Sequence, residues 1–438
     1  MRNIDIGILL AHEVDFRLVG NFLLNGKYLL ADEEYKAVAK DGRIILQGAA
    51  CERLHFVPQS AECRIVLHKV LIGVDFHWER YQEQMFEGEL VLFSEDDKVR
   101  VVNSLPVEDY LKSVISSEMA ATSSLEFLKA HTVISRSWLY AQLARRNKEG
   151  DAQLCRECGC ETVRWYAREN HTLFDLCADD HCQRYQGLSH ERNMRVEEAV
   201  KSTSGQVLVY GGEVCDARFS KCCGGMTERF SACWEDKDFD YLQAFRDNKD
   251  KDDFVDLTIE ENVRRWIEDA PDSFCNTGDK EVLGQVLNGY DCETNDFYRW
   301  TIKYTQQELS DIVSQRSGVD FGTIEELVPV ERAASGRLVR LRIVGDKASR
   351  IVGKELEIRR WLSPSHLYSS AFVVDKCVDS DGNRCFLLKG AGWGHGVGLC
   401  QIGAAMMGER GYDYHAILQH YYPGAVIDDI DNIDFIDE

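Results

Sequence analysis

The chain of 438 residues is strongly acidic, and this composition excludes several classes of protein. Its 51 Lys and Arg residues against 74 Asp and Glu residues give a formal net charge of −23 at pH 7, which repels phosphate backbones over most of the surface. No run of about 18 or more apolar residues occurs, so the sequence predicts no membrane-spanning helix. We therefore expect no nucleic-acid partner and no transmembrane segment, whereas 44% hydrophobic residues suffice for more than one core.

Residues 1–100 are predicted to form a β-rich N-terminal region. Apolar residues alternate with polar ones in short segments that glycines separate, which is typical of half-buried strands. The predicted strands cover residues 4–10, 16–18, 43–46, 63–72 and 88–93.

A helix is predicted over residues 107–119, and it carries an acid on its apolar face. Pro106 suits a helix start, and the acids that follow complement the amino-terminal dipole. Glu118 follows Val107 by eleven positions, which places it about 20° away from that residue around the helix axis. Apolar surroundings raise the pKa of a carboxyl group, as a general acid requires. The alternative is that Glu118 lies at the frayed helix end and turns to water.

A second helix is predicted from a capping box at residues 123–126 to about Arg145. Arg136 shares a face with leucines of this helix, where a guanidinium group needs a carboxylate or carbonyl partner. It either forms a structural ion pair, with Glu118 as one candidate acid, or orients that acid or a ligand.

Residues 171–182 bring together four side chains that commonly bind metal. Two imidazoles and two thiols are ligands of the kind that hold Zn²⁺ tetrahedrally, and with no open position such a site is structural. The alternative is a group of thiols and imidazoles without metal. The predicted zinc ligands are His171, Cys177, His181 and Cys182.

Three more thiols, Cys155, Cys158 and Cys160, lie just upstream of these ligands. They are open to three interpretations: a second metal site, a disulfide element, or substitute ligands.

The remaining elements are predicted from periodicity and turn residues. A hairpin across Gly211 and Gly212 joins strands at 207–210 and 214–219. Residues 236–276 are acidic, and the charged run 247–253 is typical of a solvated loop or an insertion. Later elements are a helix late in residues 298–315, strands at 338–344, 352–358, 372–378 and 384–388, and helices at 400–408 and 413–420.

The segment 390–401 has glycines at every second position from Gly390 to Gly398. In an extended backbone this spacing leaves one face without side chains, so that a bulky substrate can lie against it. The spacing fits neither the dinucleotide fingerprint nor a Walker loop, and a phosphate cradle is therefore not expected.

Two segments resemble signatures of the SpoIID/LytB family of stage II sporulation protein D and its relatives. The glycine segment GAGWGHGVGLCQIGA, residues 390–404, resembles the closing signature. The segment SLPVEDYLKSVISSEMAATSSLEFLKAHTVISRSWLYA, residues 104–141, resembles an earlier one and contains the family's S-E-M element, with Glu118 at its centre. Residues 220–228 resemble a third element, in which two cysteines stand here in place of the usual serines. Its Glu228 is a candidate second acidic group of the site, although a surface carboxylate is the more common case. The resemblance covers roughly residues 101–427.

The resemblance implies a peptidoglycan lytic transglycosylase. Glu118 would be the catalytic acid that cleaves glycan strands after N-acetylmuramic acid and leaves 1,6-anhydro products. A subset of relatives binds zinc through a stretch similar to residues 171–182. The side chains and backbone positions expected to bind substrate are Arg136, Gly394, His395, Gly396 and Gln401. A lone histidine such as His395 is also common as a purely structural residue.

Two other functions remain open from the sequence. LytB-type relatives are described as amidase modifiers, so the chain is alternatively a non-catalytic, glycan-binding enhancer of a cell-wall amidase. A weaker reading is a cytosolic zinc protein, because no secretory signal is visible at the N-terminus and thiols stay reduced inside cells. The substrate nevertheless favours the bacterial cell envelope as the location.

We therefore expect an α+β fold with a mixed β-rich core, a two-helix catalytic segment and a small zinc-binding insertion. The expected regions are a β-rich part at 1–100, a first half of the family core at 101–235 with the insertion at 150–190, an acidic insertion at 236–293, and a second half at 294–438.

Overall fold

A computed structural model describes the chain as two compact units. The described residues are 3–30, 32–73, 80–120, 122–146, 155–166, 171–179, 181–188, 193–250, 255–286 and 296–433. The first unit contains Met1–Ala121 and Arg168–Ser204, and the second contains Thr122–Ala167 and Gly205–Glu438. Both units mix helices and strands, which confirms the predicted α+β class.

The first unit is built on two sheets. One has the spatial order β15 (Leu176–Cys177), β1 (Asn3–Ala11), β12 (Lys98–Pro106), β11 (Glu89–Glu95), β8 (Arg53–Pro58), β3 (Phe22–Leu24) and β4 (Tyr28–Leu30). The other has the order β10 (Arg80–Phe86), β9 (Arg64–Ile72), β2 (Glu13–Val19), β5 (Glu33–Lys40), β6 (Arg43–Leu46) and β7 (Ala49–Cys51). Strands thus occur at all five places where alternation predicts them, because the apolar face of each strand is buried.

Helices α1 (Val107–Glu118) and α3 (Met194–Ser202) pack against each other in the first unit. Helix α1 follows β12 directly and carries Glu108 and Asp109 in its first turn, as predicted. Its buried face includes Tyr110, Leu111 and Val114, which are fully enclosed.

The described residues of the second unit form four smaller sheets. The largest has the order β13 (Cys155–Cys158), β14 (Glu161–Arg164), β22 (Ser349–Gly353), β21 (Leu338–Gly345) and β20 (Ile324–Arg332). The predicted glycine hairpin lies in a second sheet, β17 (Glu213–Val214), β16 (Gln206–Tyr210) and β26 (Val426–Asp429). The others are β18 (Phe219–Ser220) with β25 (Leu399–Cys400), and β19 (Arg299–Thr305), β24 (Arg384–Ala391) and β23 (Phe372–Val378).

The helices of the second unit cover the edges and faces of these sheets. They are α2 (Leu125–Arg146), α4 (Glu260–Asp269), α5 (Lys280–Val286), α6 (Gln306–Ser317), α7 (Glu355–Trp361), α8 (Gln401–Glu409) and α9 (Tyr414–Tyr421), with short 3₁₀ turns at Phe230–Ala232 and Ile430–Asn432. One core joins α6 and α7 to β19–β24 through buried residues that include Trp300, Phe321 and Trp361. Each such side chain contributes about 1.5–3 kcal/mol of burial free energy.

The strand predicted at residues 352–358 is wrong in its second half. Strand β22 ends at Gly353, and α7 begins at Glu355. Ile358 and Trp361 are buried at helical spacing, and acids in the first turn with arginines in the last turn complement the helix dipole. The helical spacing of these buried residues therefore determines the structure here, although β-branched residues precede the helix.

Candidate active site and metal centre

Glu118 is the last residue of α1 and is half-buried. The helix ends there because Met119 adopts an extended backbone, while its N–H still donates to the Ile115 carbonyl. Met119 is itself buried, so the end of the helix is held in place by the core. The structure therefore places the carboxylate at a well-anchored helix end.

The segment that follows the predicted zinc ligands runs along α1 and hydrogen-bonds to it. The Tyr110 hydroxyl donates to Gln183 Oε1 at 3.1 Å, and Ser113 Oγ donates to the Gly187 carbonyl at 2.6 Å. A third bond, 3.3 Å long, runs from the Gln186 N–H to Oγ of Ser117, the residue before Glu118. Positions 110, 113 and 117 share one helix face, so this segment fixes the rotation of α1 and with it the direction of Glu118.

The four predicted zinc ligands come together as a compact group in the first unit. Their ligand atoms all lie within 4.8 Å of one another. Cys182 Sγ is 3.5 Å from His171 Nε2 and 3.7 Å from His181 Nδ1, and Cys177 Sγ is 3.9 Å from the same His181 nitrogen. A tetrahedral zinc ion at ordinary bond lengths separates its ligand atoms by about 3.3–3.8 Å. The residues present therefore fit a four-coordinate ion.

The sheet and core of the first unit hold this ligand group. Cys177 lies in β15, which pairs in parallel with β1. The Asp175 carboxylate accepts the Asp5 N–H at 2.9 Å, and the buried Phe174 ring occupies the space above Gly7. The pKa of the Cys177 thiol is lowered to about 2, first by its hydrogen bond with Cys182. The anionic thiolate that a metal requires is thus favoured.

Cys155, Cys158 and Cys160 belong to neither compact ligand group found among the described residues. Two of them lie in β13, whose hairpin with β14 adds to the edge of the sheet containing β22. The fifteen cysteines in the described ranges are present as thiols.

Arg136 is fully buried in the second unit, on α2. One of its partners is the Gln206 carbonyl, which accepts from Nη1 at 3.0 Å. Gln206 begins β16, and the next residue of α2 is tied to the same strand, since the Leu208 N–H donates to Ser137 Oγ at 2.8 Å. The guanidinium therefore helps to dock α2 on this sheet, and its contact with a substrate stays a prediction.

The glycine segment departs from the expected extended conformation. After Ala391 the chain leaves β24, and Gly392, Gly394, Gly396 and Gly398 adopt φ values of 76°, 93°, 76° and 71°. Other residues rarely adopt this left-handed region, so the alternation of glycines reflects backbone conformation rather than a bare strand face. The expectation of an extended run is wrong for this reason.

The protein's own atoms occupy the space beside these glycines. A Cβ atom added at Gly396 would lie 2.5 Å from the Arg337 guanidinium carbon, and one at Gly394 would lie 3.1 Å from Ser220 Cβ. Arg337 is fully buried and donates to the Gly394 carbonyl from Nε at 3.2 Å. Gly394 and Gly396 thus allow close packing around Arg337, and their contact with a glycan stays a prediction.

His395 and Gln401 are both engaged within the second unit. The Val397 N–H donates to His395 Nδ1 at 3.0 Å, and desolvation, reinforced by nearby arginines, lowers the pKa of His395 well below its usual value. Gln401 is 2% exposed, and its amide nitrogen lies 3.1 Å from Nε2 of the buried His131. Burial lowers the pKa of His131 to about 3, so the neutral ring accepts this hydrogen bond. Contact of either residue with a sugar stays a prediction.

The sequence did not predict a second group of ligand-type side chains in the second unit. Cys223, Asp247, Cys275 and Cys400 are all buried, and their ligand atoms lie within 4.8 Å of one another. Asp247 opens the run expected as a solvated loop or an insertion and is instead fully enclosed, so the solvated loop is wrong for this residue, whereas Lys249 and Asp250 are exposed. Residues 251–253 of the same run lie outside the described residues. The one available signal was Cys223, which stands where the family has a serine.

Glu228 belongs to the same third element and was expected at the surface. It is fully buried, and burial raises the pKa of its carboxyl group. Its Oε2 accepts from the Ser335 hydroxyl at 2.6 Å and from the Ser335 N–H at 3.0 Å. The expectation of a surface carboxylate is therefore wrong.

No helix within the described ranges is both long enough and apolar enough to cross a membrane.

Comparisons with known proteins match two parts of the chain to families. Residues 95–210, which contain α1, α2 and the first ligand group, match the model of the Stage II sporulation protein family, SpoIID. Residues 228–398 match a domain of unknown function, DUF8618.

Curated relatives extend over most of the chain. An uncharacterized protein of Brachyspira hyodysenteriae is 26% identical over 350 residues, which are 80% of this chain and 73% of that protein. The amidase enhancer of Bacillus subtilis is 27% identical over 72% of this chain, and the match spans 40% of the enhancer. Stage II sporulation protein D of Bacillus subtilis is 22% identical, over 75% of this chain and 76% of that protein.

Proposed function

Because the chain contains a domain of the SpoIID/LytB family, we propose that it is a peptidoglycan lytic transglycosylase in which Glu118 transfers the proton. The observation that carries the proposal is the position of Glu118. It lies half-buried at the end of a helix whose direction is fixed from within its own unit by the bonds of Tyr110, Ser113 and Ser117. A general acid needs such a fixed geometry more than it needs any particular fold.

One carboxyl group suffices for this reaction. Protonated Glu118 gives its proton to the glycosidic oxygen that leaves N-acetylmuramic acid, and an oxocarbenium-like state develops at the anomeric carbon. The sugar's own 6-hydroxyl oxygen then bonds to that carbon, and its proton returns to Glu118. The strand is cut, a 1,6-anhydro ring forms, and no water is consumed.

In this proposal zinc has only a structural role. His171, Cys177, His181 and Cys182 would hold the ion as four protein ligands, so no position is left for substrate. A bound ion would cross-link residues 171–182 and stabilise the segment that orients α1.

The test uses glycan strands freed of stem peptides. We expect mass spectrometry to find anhydro-muramyl ends after digestion by the native protein, and Glu118→Gln to lower their rate of formation by roughly a hundredfold or more with a thermal midpoint unchanged within about 2 °C. Glu108→Gln, in the first turn of the same helix, is the matched control and should retain full activity. Equal rates for Glu118→Gln and the native protein would refute the assignment.

The second candidate is a non-catalytic enhancer of a cell-wall amidase, which the relative named amidase enhancer favours. Under this alternative the chain alone releases no anhydro product, but it accelerates a purified amidase on intact sacculi. Glu118→Gln would then leave the acceleration unchanged, and this result separates the two functions.

A further inference from the structure

The second unit contains a buried group of soft ligands that the proposed reaction does not use. Its members come from four separate places in the fold: Cys223 follows β18, Asp247 and Cys275 lie in the acidic region, and Cys400 ends β25. All four side chains are at most 2% exposed. We propose that Cys223, Asp247, Cys275 and Cys400 form a second metal site that binds Zn²⁺ or a chemically similar soft divalent ion.

The distances within the group suit a four-coordinate ion. Cys223 Sγ lies 3.5 Å from Cys275 Sγ and 3.3 Å from Asp247 Oδ2, and the four ligand atoms are within 4.8 Å of one another. Tetrahedral zinc with thiolate and carboxylate ligands requires separations of about 3.5–3.8 Å. The two sulfurs are too far apart for a disulfide, whose bond is about 2.05 Å long.

Asp247 is oriented as metal-binding carboxylates usually are. Its Oδ1 accepts from the Tyr421 hydroxyl at 2.9 Å and lies 3.1 Å from His420 Nε2, while Oδ2 faces the thiols. Gly403 leaves room for the Asp247 carboxylate, because a Cβ atom at position 403 would lie 2.6 Å from Oδ2. Such outer hydrogen bonds fix the ligand oxygen and tune the site.

Cys400 lies where a negatively charged sulfur is stabilised. The Cys223 N–H donates to Cys400 Sγ at 3.2 Å, and Cys400 is also the N-cap of α8, where the helix dipole favours negative charge. Cys222 directly precedes Cys223 and is equally buried, and it hydrogen-bonds to Cys275 and Cys400. Thiolates select zinc-like ions over Mg²⁺ and Ca²⁺.

A buried carboxylate among thiolates is costly unless a cation accompanies it. His420 lies beside Oδ1 of Asp247, whereas Cys223 lies beside Oδ2. A divalent ion among the four ligand atoms would compensate the carboxylate and the thiolates together. The competing arrangement is a network of neutral, hydrogen-bonded thiols without metal.

Metal analysis of the purified full chain, kept reduced and reconstituted with zinc, separates these arrangements. The native protein is expected to hold about two zinc ions and the Cys177→Ser/Cys182→Ser variant about one. Adding Cys275→Ala and Cys400→Ala should remove the remaining ion. Cys215→Ala, at another buried thiol outside both groups, is the matched control and should retain it.

Cobalt gives an independent readout of the same site. In the Cys177→Ser/Cys182→Ser variant, Co²⁺ should produce the ligand-field and thiolate charge-transfer absorption of a tetrahedral sulfur site. If the cysteine-to-alanine variant fails to fold, Asp247→Asn keeps the volume and should alter this spectrum. The proposal is overturned if the Cys177→Ser/Cys182→Ser variant binds neither zinc nor cobalt with all thiols titratable, or if mass spectrometry finds a disulfide between Cys223 and Cys275.

Discussion

The two ligand groups have similar chemistry but opposite architecture. In the first unit the four ligands of what we call the local group lie within residues 171–182, and His181 is exposed. In the second unit the four ligands of the dispersed group span residues 223–400 and are all buried. A short segment can bind metal even in the unfolded chain, which reduces the net stabilisation of the folded state. A dispersed site exists only after folding, so its whole binding free energy stabilises the fold.

The largest effect is therefore expected from the dispersed group. Cys275→Ala/Cys400→Ala should lower the free energy of unfolding by roughly 4 kcal/mol or more, through lost metal and two small cavities, and the melting temperature by about 8–16 °C. Thermal scans with and without added zinc check this. Cys215→Ala creates one comparable cavity and should cost far less than half as much. Equal losses in the two proteins would contradict a metal in this group.

Removing the local group should affect activity more than stability. Cys177→Ser/Cys182→Ser is expected to cost only about 1–2 kcal/mol of stability, but to lower activity at least tenfold because the segment that orients α1 loosens. The measurements are a thermal midpoint and the rate of anhydro-product formation. Cys158→Ser is the control and should change neither. Full activity without metal would show that the segment holds α1 unaided.

The two groups should also differ in the rate of metal loss. A chelator reaches the exposed His181 site directly, whereas the buried site releases its ion only when the second unit opens locally. We expect two kinetic phases that differ by at least tenfold, each carrying about one zinc ion. The slow phase should disappear in Cys275→Ala/Cys400→Ala, and a single fast phase in the native protein would contradict the burial argument.

The smallest effect concerns the outer hydrogen bonds of Asp247. Tyr421→Phe removes one bond to the carboxylate and should weaken zinc binding at the dispersed site by about tenfold, with a stability loss of about 1 kcal/mol. Tyr422→Phe removes two buried bonds, one to the Arg218 carbonyl and one from the Leu399 N–H, and neither involves a ligand side chain. It should cost similar stability and leave zinc affinity unchanged. Competition with a zinc chelator measures both affinities.

Local features of the fold could be predicted from the sequence. The periodicity of apolar residues and the positions of turn residues predict the strands of the N-terminal region, the two helices after β12, the glycine hairpin and the closing helices. The first ligand group could be predicted for the same reason, since its members are neighbours in the chain. Two predicted elements fail in part. At residues 352–358 a strand passes into a helix within two residues, and of the strand predicted at 214–219 only the two ends lie in strands, β17 and β18.

Long-range features could not be predicted, because no local pattern encodes them. Asp247 stands at the start of a charged run, and only its contacts with Cys223 and Tyr421 make it a buried ligand. Helices α1 and α2 adjoin in sequence and were expected as one segment, yet they belong to different units. The conformation of the glycine segment could not be predicted, because glycines at every second position fit both a bare strand face and repeated left-handed turns.

The left-handed glycines change what the closing signature can diagnose. An L-amino acid at Gly394 or Gly396 would meet both backbone strain and, at Gly396, the Arg337 guanidinium. Selection would therefore keep these glycines in any related protein that retains the loop, whether or not that protein cuts glycan. The signature therefore reflects a backbone conformation, the repeated left-handed φ values of this loop. Enzymes and inactive binding proteins of this fold would carry it alike, and under the proposed function the acid at the end of α1 would be the residue that distinguishes them.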